Sequence, residues 1–185
     1  MEYITDIIDR AFSGIPYPGR ENVCGSPSGR WEFEPLFECE DQWCKDWRRI
    51  PAELIAQEVR DILPLFSDAG YKFFIPAFMK AALLAIKYPF NGDYSTLLMY
   101  VVYSLCPSED FKEQHISRIS QFNDKQKRAI AVFLEYVQQH DTEEDYNEMI
   151  TTTLEKSMYC PCPPSAHEAN MPNGTPKNND ESPAD

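Results

Sequence analysis

The sequence predicts a mainly α-helical fold: a single compact multi-helix domain, with a short strand or an irregular segment near residues 31–47. Three observations predict it. Apolar residues recur at intervals of three and four in several segments, and proline, glycine and asparagine separate those segments. Hydrophobic residues make up 43% of the 185 positions, which is enough for one core. We expect the helical domain to span residues 1–159 and a disordered tail, rich in proline and asparagine, to span residues 160–185.

The first predicted helix spans residues 3–12, in which Ile4, Ile8 and Phe12 share one face. Glycine, proline, serine and asparagine predominate in residues 14–30, a composition typical of a surface loop. The chain is therefore expected to begin with one amphipathic helix and a connection of low apolar content.

Prolines delimit the central helices. Pro51 is expected to begin the second helix and Pro64 to end it. Pro76 is expected to begin or kink the next helix, which is apolar almost all round and therefore buried. Residues 94–105 predict a further helix, although their β-branched and aromatic residues also suit a buried strand.

Capping residues locate other helix starts. Ser67 is expected to cap a helical turn. Asn123, with Gln126 three residues later, forms a capping-box pattern before a helix over residues 124–140. Thr142 repeats the capping pattern for a last helix.

Residues 31–47 combine large aromatic side chains with carboxylates. Two interpretations stay open: an exposed patch that binds a partner, or a lid of rings that covers the helical core. The candidate partner-binding residues of this segment are Trp31, Phe33, Trp43, Trp47, Glu38, Glu40 and Asp41.

The formal net charge of −13 bears on the kind of partner. Binding to nucleic acid or to an anionic membrane needs a lysine- and arginine-rich surface, so we expect neither. A basic protein partner fits the charge. Residues 1–6 lack the features of a secretory signal, and the apolar run over residues 73–86 is too short to span a bilayer. We therefore expect a cytoplasmic protein.

Six cysteines raise the question of a metal site. We expect reduced thiols, with Cys106 packed in the core. The pairs Cys39/Cys44 and Cys160/Cys162, with a histidine, are zinc-ligand candidates by residue type. Their spacing differs from the usual C-x2-C pattern, so we expect no metal and no cofactor.

No arrangement of residues predicts catalysis. His115 and His140 are expected to be exposed at helix ends, and the carboxylates near residues 38–46 and 141–145 are expected to be solvated. Glycine-rich phosphate loops and the G-x-S-x-G pattern are absent from the sequence. We assign no catalytic residue.

Three runs, at residues 43–55, 66–79 and 122–134, resemble a family of uncharacterised bacterial small helical proteins. The most specific part is Gly70-Tyr-Lys-Phe-Phe-Ile-Pro-Ala-Phe78, which fits a GY(K/R)FF(I/L)PA(F/Y) core motif. The resemblance implies a helical fold and no known activity. Of the motif residues, only Tyr71 and Lys72 carry groups suited to proton transfer or ligand binding.

These observations favour a cytosolic protein-interaction module with an acidic surface, of an accessory or immunity type. The alternative is a small metal-dependent or thiol enzyme.

Overall fold

The computed structural model describes residues 1–88, 91–106, 112–140 and 144–155. Within these ranges the chain is helical, as predicted, and contains no strand beyond a single antiparallel bridge between Cys24 and Phe66. The α-helices in chain order are α1 (Glu2–Ala11), α2 (Glu34–Glu38), α3 (Glu40–Trp43), α4 (Ala52–Glu58), α5 (Asp68–Lys87), α6 (Gly92–Leu105), α7 (Lys112–Ser120), α8 (Asp124–His140) and α9 (Glu144–Glu155). Turns of 3-10 helix occupy Arg20–Asn22, Pro27–Phe33, Trp47–Arg49 and Leu63–Leu65. The predicted tail at 160–185 lies outside the described residues.

Helix α5 is the centre of the fold. It packs against α6, α4, α1, α7 and α8, while α1 also packs on α8 and α8 on α9. Most of its side chains are buried, because its residues are apolar almost all round. Five of the described helices therefore pack directly against α5, whereas α9 reaches the core through α8.

Of the two alternatives for Pro76, the one in which it begins helix α5 is wrong. Pro76 lies inside it rather than at its start, and the helix begins at Asp68, one residue after Ser67. The Ser67 hydroxyl accepts a hydrogen bond from the Gly70 amide at 2.9 Å, so the predicted cap belongs to this same helix. Proline is tolerated here because buried aromatic residues on both sides hold the helix against its neighbours.

At 20 residues, α5 also has the length and apolar composition to cross a membrane, contrary to the expectation from residues 73–86. In the structure, 72% of its most apolar window is buried inside the protein. That burial is typical of the core helix of a globular protein.

The capping box predicted before α8 is confirmed. The Gln126 amide donates to Asn123 Oδ1 at 3.0 Å, and the Asn123 amide donates to Gln126 Oε1 at 3.1 Å. The cap predicted at Thr142 falls outside the described residues.

The predicted end of α4 is wrong, and of the two alternatives for residues 31–47 the short strand is excluded. Helix α4 ends at Glu58 rather than at Pro64, since Val59 leaves the helical region (φ −134°, ψ 19°) and turns its side chain into the core. The strand considered for residues 31–47 does not form. Pro27 begins a 3-10 turn that extends into this segment, and Pro35 is the second residue of α2, because proline suits the first turn of a helix and lacks the amide that a strand needs.

Candidate functional site

Three of the predicted partner-binding rings belong to the core. Phe33, Trp43 and Trp47 are buried, and neighbouring helices cover them. Trp43 Nε1 donates to the Leu36 carbonyl at 3.2 Å, and Trp47 Nε1 donates to the Phe12 carbonyl at 3.1 Å. Buried aromatic side chains, with the indole N–H groups of both tryptophans satisfied, are core residues. The prediction that these three rings bind a partner is therefore corrected. The lid interpretation describes them.

Trp31 is the exception. Its side chain is 68% exposed, although it belongs to the same 3-10 turn as buried Phe33. It lines an open groove of about 500 Å³, which we call the Trp31 groove. The groove is bounded by Cys24, Gly25, Ser26, Ser28, Gly29, Trp31, Glu32, Pro64, Leu65 and Phe66.

Two chain segments that are distant in sequence form this groove. The Gly25 amide donates to the Leu65 carbonyl at 2.8 Å, and the Ser67 amide donates to the Val23 carbonyl at 2.9 Å. These bonds place the 3-10 turn that carries Trp31 opposite Leu65, whose side chain is 38% exposed. The groove therefore has an apolar residue on each wall and is open to solvent.

The predicted acidic contact residues come after Trp31 in the sequence, on α2 and α3, and are not among the residues that line the groove. Glu38 on α2 and Asp41 on α3 are exposed. Glu40 is half-buried and lies beside Tyr17, whose pKa is raised by burial and further by the Glu40 carboxylate. Glu38 and Asp41 are thus open to a partner, whereas Glu40 is partly occupied within the protein.

A second set of polar residues is buried between α5, α6 and α7. The Tyr71 hydroxyl lies 2.8 Å from Ser104 Oγ, and burial raises the pKa of Tyr71 to about 12. The guanidinium of Arg118 lies over the Tyr71 ring, 4.6 Å from its centre. His115 is 6% exposed rather than exposed as predicted, because α7 continues past it and packs it against α6. Burial lowers the pKa of His115 to about 4, so the imidazole is neutral near pH 7.

This buried cluster has the residue types of an active site, but its groups bind one another and the main chain. Lys72, the other chemically versatile residue of the core motif, donates to the Gln121 carbonyl at 2.6 Å. Tyr71 and Lys72 therefore join α5 to α6 and to the connection between α7 and α8. A structural role accounts for both residues.

The thiols do not form a described metal site. Cys39 and Cys44 are half-buried at the ends of α3, and Cys160 and Cys162 lie outside the described residues. In the described ranges, no three His, Cys, Asp or Glu side chains come together as metal ligands. Cys106 is buried as predicted, and burial raises its pKa to about 11.

An ion-pair cluster around Trp47 has no signature in the sequence. Lys80 Nζ lies 2.9 Å from Asp9 Oδ1, and Arg48 Nε lies 3.5 Å from the same oxygen. Both cations also lie over the Trp47 indole, at 5.5 and 5.0 Å. Burial would raise the pKa of Asp46, but the hydrogen bonds that it accepts from Arg48 outweigh burial and lower it. These contacts hold α1, α5 and the Trp47 turn together.

The carboxylates at 141–145, predicted to be solvated, lie outside the described residues: residues 141–143 entirely, and residues 144–145 in their side chains.

Residues 35–157 match the model of a protein family, described as a family of unknown function, DUF6714. No curated protein and no solved structure matches the chain. The matched region contains Leu65 and the buried cluster at Tyr71 and Arg118, but it begins four residues after Trp31.

Proposed function

We propose that this chain, which belongs to the DUF6714 family of unknown function, is a protein-interaction module. The proposed site is the Trp31 groove, and the proposed occupant is a short basic segment of a partner protein that carries one apolar side chain. An accessory or immunity-type role in the cytoplasm is consistent with such a module. The observation that carries the proposal is the exposed indole of Trp31 opposite Leu65.

An exposed tryptophan in this position favours binding. Tryptophan is largely buried on average in folded proteins, and it is enriched among the residues that contribute most to protein–protein affinity. Every other tryptophan of this chain is buried. The groove is partly open to solvent rather than enclosed, as small-molecule sites usually are, which leaves room for a peptide segment.

The charge of the chain around the groove indicates which charge a partner should carry. Between residues 20 and 41 the chain carries six carboxylates and two guanidinium groups. One of these guanidinium groups, Arg20, is paired with Glu34 at 3.1 Å. Glu32 in the groove wall, Glu38 and Asp41 form no ion pair with any described residue. The excess of carboxylates over guanidinium groups in this part of the chain favours a basic segment over an acidic one.

The test uses synthetic peptides with the full-length protein. One set is basic with a single leucine, one is basic without an apolar residue, and one is acidic with a leucine. Affinity is measured by isothermal titration calorimetry at low and high salt. The variants are Trp31→Ala and, as a matched control, Tyr3→Ala, since Tyr3 is 72% exposed and lies on α1.

We expect the basic leucine-containing peptides to bind most tightly, and Trp31→Ala to weaken them by tenfold or more, as an anchor residue does. Tyr3→Ala should change affinity by less than twofold, and added salt should weaken binding. Equal affinity for Trp31→Ala and wild type, or binding of the acidic peptides in preference, would refute the proposal.

A further inference from the structure

We infer that Arg118 is a positioning residue for the Trp31 groove: α7 holds one wall of the groove in place through this side chain. The inference rests on the proposed function only in naming the groove as a binding site. Arg118 itself is not among the residues that line the groove.

The contact is made by one nitrogen. Arg118 Nη2 donates to the Pro64 carbonyl at 2.9 Å and to the Phe66 carbonyl at 3.0 Å. Between them, the Leu65 carbonyl points the other way and accepts the Gly25 amide at 2.8 Å. Residues 64–66, which we call the wall segment, are therefore held on both sides: by the Gly25 amide on one side and by Arg118 on the other.

A charged side chain is unusual at a position as buried as that of Arg118. The residue is 6% exposed, and within the described ranges no carboxylate lies within ion-pair distance of it. Its Nε has no hydrogen-bond partner there. A buried cation is costly without compensating neighbours; the two carbonyls, the face of Tyr71 and, beyond ion-pair distance, the Asp68 carboxylate stabilise this one. Lysine keeps a donor that can reach carbonyls but cannot stack on the Tyr71 ring as a plane, whereas methionine removes both the donors and the charge.

Helix α7 is joined to the same region at a second point. Ser117 Oγ donates to Asp68 Oδ2 at 3.1 Å, at the first residue of α5. This bond is exposed and does not touch the wall segment. Ser117 therefore offers a matched control: it lies on the same helix, next to Arg118, and bonds to the other side of the same junction.

Cys24 provides a readout that needs no partner. Its thiol lines the groove, is half-buried, and donates to the Ser26 carbonyl at 2.7 Å. Cys44 is half-buried outside the groove and serves as an internal reference. The alkylation rate of Cys24 relative to Cys44, followed by peptide mass spectrometry under native conditions, reports on the groove rather than on overall stability.

The variants are Arg118→Lys, Arg118→Met and the control Ser117→Ala, each in the full chain. We expect Arg118→Met to raise the Cys24/Cys44 rate ratio at least tenfold and to weaken the basic leucine-containing peptide at least tenfold, with a smaller change in the same direction for Arg118→Lys. Ser117→Ala should leave both quantities within twofold. An unchanged rate ratio in folded Arg118→Met would overturn the inference. If no peptide binds the wild type, the proposed function fails, while the rate ratio still decides the role of Arg118.

A measurement on the unmodified protein covers the case in which the variants do not fold. If Arg118 holds the wall, the Gly25 amide, which is bonded to Leu65, should exchange with solvent deuterium at a rate comparable to the amides in the middle of α7. Exchange of Gly25 that is a hundredfold faster than that of α7 would overturn the inference.

Discussion

Replacing Gly70 by alanine tests the most tightly packed junction of the fold. A Cβ built on Gly70 lies 3.0 Å from Phe66 Cδ1, 3.1 Å from the Val23 carbonyl carbon, and closer still to the Val23 carbonyl oxygen. That oxygen accepts the Ser67 amide, so the clash falls on the bond that joins the two segments of the Trp31 groove. Because the obstacle is main chain rather than the end of a flexible side chain, relief requires the segments to separate.

The size of the effect follows from three opposing terms. Alanine in a helix is favoured over glycine by about 1 kcal/mol. Overpacking costs about 1–3 kcal/mol, and the loss of one main-chain hydrogen bond costs about 1 kcal/mol more. We therefore expect Gly70→Ala to lower the free energy of unfolding by about 2 kcal/mol, which for a chain of this size is about 4–8 °C in Tm.

Urea unfolding followed by circular dichroism measures this change. Gly92→Ala is the control, since Gly92 begins α6 and a Cβ there meets nothing within 4 Å. The control should be unchanged or slightly more stable. If Gly70→Ala were as stable as Gly92→Ala, the close approach of α5 to Val23 would be refuted.

Three further predictions concern the tryptophans, the buried histidine and the cysteines. Trp47→Phe should destabilise the protein by about 2–4 kcal/mol, because it leaves a cavity and an unpaired Phe12 carbonyl; exposed Trp31→Ala should change stability by no more than about 0.5 kcal/mol in the same urea assay. As pH falls from 6.5 towards 4, the unfolded chain takes up a proton at His115 that the folded chain excludes, so stability should decrease by up to about 3 kcal/mol over that window; His115→Gln should flatten this part of a stability–pH curve, and an unaltered slope would contradict it. In native protein, iodoacetamide should label Cys24, Cys39 and Cys44 but not Cys106, whose thiol is buried with a pKa of about 11; peptide mapping that finds Cys106 labelled at a similar rate would count against its burial.

Local patterns were sufficient to predict much of the fold. The capping box at Asn123 and Gln126 and the period of apolar residues place α8 at residues 124–140, as observed. The reason is that capping and amphipathic spacing are properties of a few consecutive residues. The limits of α5 and α4 were not predictable in this way. Whether Pro76 interrupts a helix, or Val59 ends one, depends on what packs against it, and that is a property of the whole core.

The candidate site was less predictable than the helices, because it depends on packing between distant segments. Trp31 and Phe33 belong to one short turn, and no local pattern separates the exposed ring from the buried one. The groove exists because residues 23–25 meet residues 65–67, a pairing about forty positions apart. The burial of Arg118 and His115 could not be predicted either, since a lone arginine and a lone histidine in a polar helix normally face solvent.

The way the N-terminal residues enter the core bears on where this protein can be divided. The family match begins at residue 35, yet Ile8, Phe12 and Val23 are fully buried, and Phe12 and Val23 each supply a carbonyl that the later chain needs. The edge of sequence similarity is therefore not the edge of a cooperative folding unit. A polypeptide limited to residues 35–157 would have an uncovered apolar seam along α5 and α8, and would be expected to aggregate or to recruit another segment in place of α1.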